Sequence, residues 1–452
     1  MLSYGLLSVI SAFYLRRYMK RQSYTDYNQI ISSPFAPSIS MIAPAFNEEI
    51  SIVENIRSLM SLFYHDFEVI IVNDGSKDTT LETVIKAYDL EPVDFAVPNY
   101  LPSKKIRNVY KSRNRSFRNL MVVDKENGGK ADALNAGINV STKNYFIAID
   151  VDSVIESDSL LRLAKPFLEE KDNRVIAVGG SIRVANSCIL EDGQIKAVKV
   201  PRNFWARFQV IEYTRAFLMG RIAWSELDGL LIISGALGLF DKEIAIKCGG
   251  YYADTVGEDM ELVVRMRRYM SEKRQPYRVR SIPDSLCWTE VPGSARILGR
   301  QRNRWTRGMI ETLFSHKRVF FNPRYGAMGL LGYPYFFFFE WLAPLVEFFG
   351  LLYFILIAIL GDPNWEFFFL LLAFVYMFAI LFSTFAILFE QKTFNRYKRN
   401  RQMFSLLLSA ILEPLIFHPL TVWWGLKGNF DYFILQKKAW GKMTRVGFAK
   451  KT

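Results

Sequence analysis

Four short apolar runs in the first third of the chain, each cut off by a polar turn, constrain the fold more than any other feature: SISMIAPAF (38–46), FEVIIVNDGS (67–76), NLMVVDKENGG (119–129) and YFIAIDVDS (145–153). Between them the apolar residues fall at helical spacing near 50–62, 78–88 and 130–139. Strand and helix in alternation predict an α/β domain with a mostly parallel sheet under helices, because parallel neighbours need a crossover connection and a helix supplies it compactly. The loops at the carboxyl ends of such strands carry the chemistry. The polar, basic stretch Pro98–Arg118 reads as a loop.

At 452 residues the chain is long for one soluble domain, and its 50% hydrophobic content is unevenly spread. Long apolar runs occupy 328–360, 366–389 and 403–425; the first is interrupted by Pro334, Glu340, Pro344 and Glu347, the last by Glu413, Pro414, His418 and Pro419. Residues 1–15 form another uncharged apolar stretch, followed by Arg16, Arg17, Lys20 and Arg21. It reads as a retained membrane anchor with residue 16 onward in the cytoplasm, the alternative being an interfacial helix lying on the bilayer. The basic segment 391–402 and the basic tail after Lys427 both read as cytoplasmic, so the run between them should re-enter or cross twice in short pieces. Three cysteines without close spacing exclude a disulfide framework and a cysteine-rich zinc site. A net charge of +13 beside such runs favours anionic lipid and an anionic substrate over nucleic acid. The expected organisation is an anchor (1–22), a cytoplasmic catalytic domain (38–295), interfacial helices (296–325), transmembrane helices (326–430) and a basic tail (431–452).

Five groups carry chemistry. Asp150 and Asp152 end an apolar strand two residues apart, on one face of an extended chain, which suits a hard divalent cation that also holds a diphosphate. Asp74 ends another strand, with Gly75 allowing a sharp turn; Asn47 and Asp78 nearby serve either the site or helix capping. Gly128 and Gly129 precede Lys130 at a helix start, an anion-binding arrangement that is not a P-loop. Glu258 and Asp259 open a helix, where acidic residues are also ordinary dipole complements. Gln301, Arg304 and Trp305 share one helix face, offering a guanidinium to a diphosphate and an indole to a sugar ring; a basic amphipathic helix on lipid has the same look.

Taken in order, these groups resemble the membrane-embedded processive members of glycosyltransferase family 2, which include the cellulose, chitin, hyaluronan and poly-N-acetylglucosamine synthases. The resemblance covers about residues 38–320 and, more loosely, the membrane segments. It implies a nucleotide-sugar-binding domain of the GT-A type with transmembrane and interfacial helices. It gives Asp74 to the uridine, Asp150 and Lys130 to the nucleotide, Asp152 to Mg2+ or Mn2+, and Gln301, Arg304 and Trp305 to the diphosphate and acceptor end. Asp259 becomes the general base, with Ser234, Gly235, Glu258 and Trp305 at the acceptor. Two positions depart from the family pattern: Gly257 stands where the acidic triplet usually has threonine, and Asp241 follows ISGALGLF (233–240) where some relatives carry a basic residue. The resemblance thus implies a metal-dependent, inverting enzyme of the bacterial inner membrane. It would pass sugar from a UDP-sugar to a growing β-linked polysaccharide and move that polymer into or across the bilayer, or else pass a single sugar to a lipid acceptor, with no nucleic acid as partner. A non-enzymatic scaffold fits poorly with the retained carboxylates.

Overall fold

The computed structural model describes residues 2–22, 27–191, 194–361 and 363–437. Of the expected tail, 438–452 lie outside the described residues. The main sheet has ten strands, in the order Leu90–Val93, Ile106–Ser112, Leu120–Lys125, Phe67–Asp74, Ile39–Ala45, Tyr145–Ile149, Leu237–Asp241, Arg174–Val184, Tyr277–Thr289 and Val154–Ile155. Its centre is parallel: Ile39–Ala45 pairs in parallel with Phe67–Asp74 and with Tyr145–Ile149, and Phe67–Asp74 with Leu120–Lys125. The four apolar runs of the sequence are these four strands, and their carboxyl ends share one edge of the sheet. The fold is therefore α/β with a mostly parallel centre, as its sequence pattern predicts.

Central strands are buried on both faces, so successive residues feed two cores. Met41, Ile71 and Ile147 face one layer with Ile52, Ile56 and Leu160; Ile42, Val72 and Phe146 face the other with Ala133, Leu134 and Leu262. The helix Lys130–Val140 sits so close to the sheet that a Cβ on Gly137 would lie 2.2 Å from Ile42 Cγ2. Pro98–Arg118 is not the loop expected from its polarity. It contains the strand Ile106–Ser112, antiparallel to Leu120–Lys125 with Val109 opposite Val123. Of that strand only Val109 is buried, so a strand near the sheet edge reads as a polar segment.

A layer of helices covers one side of this domain. Three of them, Ala343–Leu360, Trp365–Phe394 and Asn400–Phe433, are long and apolar enough to cross a membrane. The third is one continuous helix with Pro414 and Pro419 inside it, so the expected division into two short pieces does not occur. Both of its ends rest on the sheet domain: Leu406 packs with Val184 and Val200, and Asp431 accepts a 2.9 Å hydrogen bond from Asn303. At the amino end, Leu2–Gln22 lies along the domain through Leu7, Ser11 and Leu15, with Ser11 donating to the carbonyl of Leu218 and Gln22 to Asp284 at 3.0 Å. Leu2, Leu6, Val9 and Phe13 point outward from its other face.

Carboxylates on the apolar helices face the domain. Glu413 takes a bidentate pair from Arg215 at 2.7 and 2.6 Å. Glu390 accepts from Thr214 at 2.7 Å and lies 3.1 Å from the guanidinium of Arg183, both partners being about 5% exposed. That last contact is an ion pair without hydrogen-bond alignment; Arg183 Nε donates to Ser285 Oγ at 2.9 Å, and Glu390 supplies the opposite charge. Glu390→Leu should leave the buried Arg183 charge without its ion-pair partner, at a cost of roughly 3–5 kcal/mol. The expected readout is a clear drop in melting temperature in detergent, and an unchanged melting curve would contradict this seam.

Candidate active site

The site begins at the carboxyl edge of the parallel strands. Asp74 ends its strand buried, with Oδ1 accepting from Lys125 Nζ at 2.6 Å and Gly128 N–H at 2.9 Å. Its Oδ2 accepts from Gly129 N–H at 2.8 Å and Asn127 Nδ2 at 3.2 Å. Four bonds fill the acceptor capacity of an ionised carboxylate. Any contact of Asp74 with a uridine would require one of them to be exchanged. Lys125, fully buried, also pairs with Asp132 at 2.5 Å, one turn into the next helix. Together these groups pin the glycine pair ahead of Lys130–Val140, and Gly129 has φ +87°, which side-chain-bearing residues rarely adopt. Asn47 and Asp78 lie in neighbouring loops and tie them together: Asn47 Oδ1 accepts from Lys77 N–H at 2.8 Å and Asp78 Oδ2 from Glu49 N–H at 3.3 Å, while Asp78 Oδ1 accepts from Thr80 N–H at 3.1 Å at a helix start.

Lys130 leads from that turn into the site. Its ammonium reaches Asp150 at 2.5 Å and the carbonyl of Gly235 at 3.2 Å. Burial opposes its charge, but Asp150, Glu258 and Asp259 outweigh burial and raise its pKa above the usual lysine range. Gly235 turns its N–H to Asp259 Oδ2 at 3.1 Å, while Asp259 Oδ1 accepts from Met260 N–H at 2.9 Å. The base candidate is thus held by backbone at the start of the helix Glu258–Glu272. Beside it Glu258 is buried, and that burial, reinforced by the charge of Asp259, raises its pKa against the pull of Lys130 and Arg304.

The helix Ala295–Ser315 closes the site with Gln301, Arg304 and Trp305. Lys130, Asp150, Ser234, Gly235, Glu258, Asp259 and these three residues all line one cavity of about 1260 Å³, which continues among the apolar helices. Asp74 and Asp152 do not line it: the first sits beneath the glycine turn, the second, half-buried, in the turn after Asp150. Sequence reasoning missed Arg302, whose guanidinium stacks on Trp305 at 4.1 Å and pairs with Glu212 at 2.6 Å. The signal was present, since Arg302 lies three residues before Trp305 on the same helix. It also missed Lys125, which reads as one more strand-end lysine.

The glycine in place of threonine at 257 has a packing reason. A Cβ there would lie 2.7 Å from the Cα of Gly308, and the reciprocal Cβ on Gly308 would lie 2.6 Å from the Cα of Gly257. The helix of Asp259 and the helix of Trp305 therefore meet backbone to backbone.

Residues 145–425 match the family model described as glycosyl transferase family group 2, and residues 40–98 match that of glycosyl transferase family 2. A poly-beta-1,6-N-acetyl-D-glucosamine synthase of Staphylococcus epidermidis is 31% identical over 280 residues, covering 61% of this chain and 55% of that protein. Its namesake in Staphylococcus aureus is 29% identical over 278 residues, with 61% and 55% covered. The chain thus spans about half the length of the curated relatives it matches. Among solved structures, a mannosyltransferase from Pyrobaculum calidifontis, in complex with GDP-Man and Mn2+, has a TM-score of 0.52 at 19% identity, covering 91% of this chain and 99% of that one. That likeness shows a shared glycosyltransferase fold.

Gly257→Ala should force the two helices apart at a cost of roughly 1–3 kcal/mol. The expected result is a folded protein with at least tenfold slower sugar transfer, and wild-type rate with wild-type melting would contradict the backbone contact.

Proposed function

The chain belongs to glycosyl transferase family group 2, and from that premise we propose that it is an inverting membrane enzyme that moves a sugar from a UDP-sugar to a growing β-linked polysaccharide. One observation carries this reading: a single cavity joins Lys130 and Asp150, Asp259 on Gly235, and Gln301, Arg304 and Trp305, then runs on among the apolar helices. In the proposed reaction an acceptor hydroxyl attacks the anomeric carbon opposite the diphosphate. Asp259, steadied by the Gly235 N–H, takes the hydroxyl proton. Lys130 and Arg304 face the charge that develops on the diphosphate. With one base and no enzyme nucleophile, an α-linked donor gives a β-glycoside. Trp305 offers its ring to the acceptor sugar, with Arg302 beneath it fixing the indole.

The donor set suits a cation that arrives with the substrate. Among the described residues no cluster of three His, Cys, Asp or Glu side chains is placed to hold a metal. Asp150 and Asp152 supply two carboxylates, and Mg2+ or Mn2+ takes its remaining ligands readily from phosphate and water. These two residues would hold the ion, and when bound it would neutralise charge on the leaving diphosphate. The relatives' name makes UDP-N-acetylglucosamine the first donor to test. The basic residues behind the first helix and in 391–402 support a cytoplasmic catalytic domain on a bacterial inner membrane. A second reading, one sugar passed to a lipid acceptor, draws support from the apolar cavity wall at Phe339, Leu372 and Phe382.

Asp259→Asn should keep UDP affinity while transfer falls by about 10²-fold or more; retained transfer would contradict the base. Product length from purified protein and labelled donor separates the readings, polymer supporting the first and a single lipid-linked sugar the second. Asp152→Ala should abolish the dependence of UDP binding on Mg2+ or Mn2+, and unchanged sensitivity to chelator would remove Asp152 from the metal site.

A further inference from the structure

Beyond Asp259 the cavity passes the helical segment Phe204–Glu226, which joins the sheet domain to the apolar helices. On that segment Leu218 and Met219 cluster with Ala386, and the carbonyl of Leu218 accepts from Ser11 of the first helix. Arg221 lies on the same segment and lines the cavity. Other cations on the wall are paired: Lys130 with Asp150 at 2.5 Å, Arg215 with Glu413 at 2.6 Å, and Arg302 with Glu212 at 2.6 Å. Arg221 has no ion pair or hydrogen bond among the described residues. Its contact is the ring of Phe217, 4.0 Å from the guanidinium carbon.

A guanidinium in this position is held at a cost. Burial lowers the pKa of Arg221 to about 10, against the nearby negative charge of Asp259. An anionic ligand in the cavity would remove that cost and could take a bidentate grip on the planar fork. The wall that continues into the helices is mostly apolar, with Phe339, Leu372, Val375 and Phe382 on it; Glu340, Glu347 and Glu413 also line it, the last two partnered by His418 and Arg215. A soluble anion gains nothing from such a wall, whereas an anion attached to hydrocarbon gains from both parts.

We propose that Arg221 binds the phosphate of a lipid-phosphate-linked acceptor, whose hydrocarbon chain lies along Phe339, Leu372, Val375 and Phe382 while its sugar hydroxyl reaches Asp259. This rests on the reading of Asp259 as the base and names the class of acceptor, or of the primer on which a polymer starts. The transfer balances without a further reagent. The hydroxyl proton passes to the Asp259 carboxylate and the oxygen bonds to the anomeric carbon. The bond from that carbon to the diphosphate breaks, its electron pair leaving on the diphosphate. The lipid's own phosphate ester stays intact.

The test titrates the full chain, purified in detergent, with farnesyl phosphate, farnesol, inorganic phosphate and UDP, for the wild type, Arg221→Ala, Arg221→Lys and Asp259→Asn. Asp259→Asn, which loses a nearby negative charge, should bind farnesyl phosphate at least as tightly as the wild type, Arg221→Ala at least tenfold more weakly than the wild type, and Arg221→Lys in between. Farnesol should bind the wild type at least tenfold more weakly than farnesyl phosphate, and UDP should bind all four proteins equally. The proposal is overturned if Arg221→Ala binds farnesyl phosphate within twofold of the wild type. It is also overturned if UDP affinity falls in parallel, which assigns Arg221 to the donor, or if inorganic phosphate binds as tightly as farnesyl phosphate, which makes the site one for free anions. Transfer retained by Asp259→Asn alongside the expected binding pattern would instead remove the base assignment and leave the lipid-phosphate subsite standing.

Discussion

Lys125 is fully buried, its ammonium 2.6 Å from Asp74 and 2.5 Å from Asp132. A charge in that position is tolerable only because two carboxylates and the carbonyl of Glu126 surround it. The arrangement has one consequence for geometry. Asp74 must face Lys125, and its other lone pairs then collect the N–H groups of Gly128 and Gly129. The turn that follows has a single direction, and it delivers Lys130 to Asp150 across the sheet edge. The electrostatics of the cavity depend on that placement, because Lys130 is a cation that Asp150, Glu258 and Asp259 all face.

A second constraint acts where the sheet domain meets the apolar helices. Helices with hydrocarbon-facing surfaces have little reason to choose one orientation on a domain unless something polar fixes it. Here Glu390 faces Arg183 and Thr214, Glu413 faces Arg215, and Asp431 faces Asn303. These contacts hold the helices against the segment Phe204–Glu226 and the helix Ala295–Ser315, so a cavity that starts at Lys130 and Asp150 can continue between the two layers. The Gly257–Gly308 contact closes the remaining gap by letting two backbones touch.

The parallel centre of the fold was legible because those strands are buried on both faces, leaving uninterrupted apolar runs that end in acidic residues. Asp150 and Trp305 could be singled out because one ends an apolar strand and the other shares a helix face with Gln301 and Arg304; Asp259, an acidic residue at a helix start, stood out only through the family resemblance. Other parts were hidden by their surroundings. Ile106–Ser112 has a single buried side chain, so its pattern is that of a loop. Lys125 looks like a surface lysine until the partners from 74 and 132 are brought to it. Pro414 and Pro419 suggested a break that packing along the domain prevents. Arg221 carries no motif, and only the cavity shows what it faces.

The central claim is that donor, base and acceptor meet in the one cavity. The most direct measurement is an experimental structure of the full chain with UDP and Mg2+ bound. The account predicts the diphosphate within hydrogen-bond reach of Lys130 or Arg304, beside Asp150, with Asp259 and Trp305 left open on the side toward the apolar helices. Density for UDP outside that cavity, or across the space between Asp259 and Trp305, would contradict it.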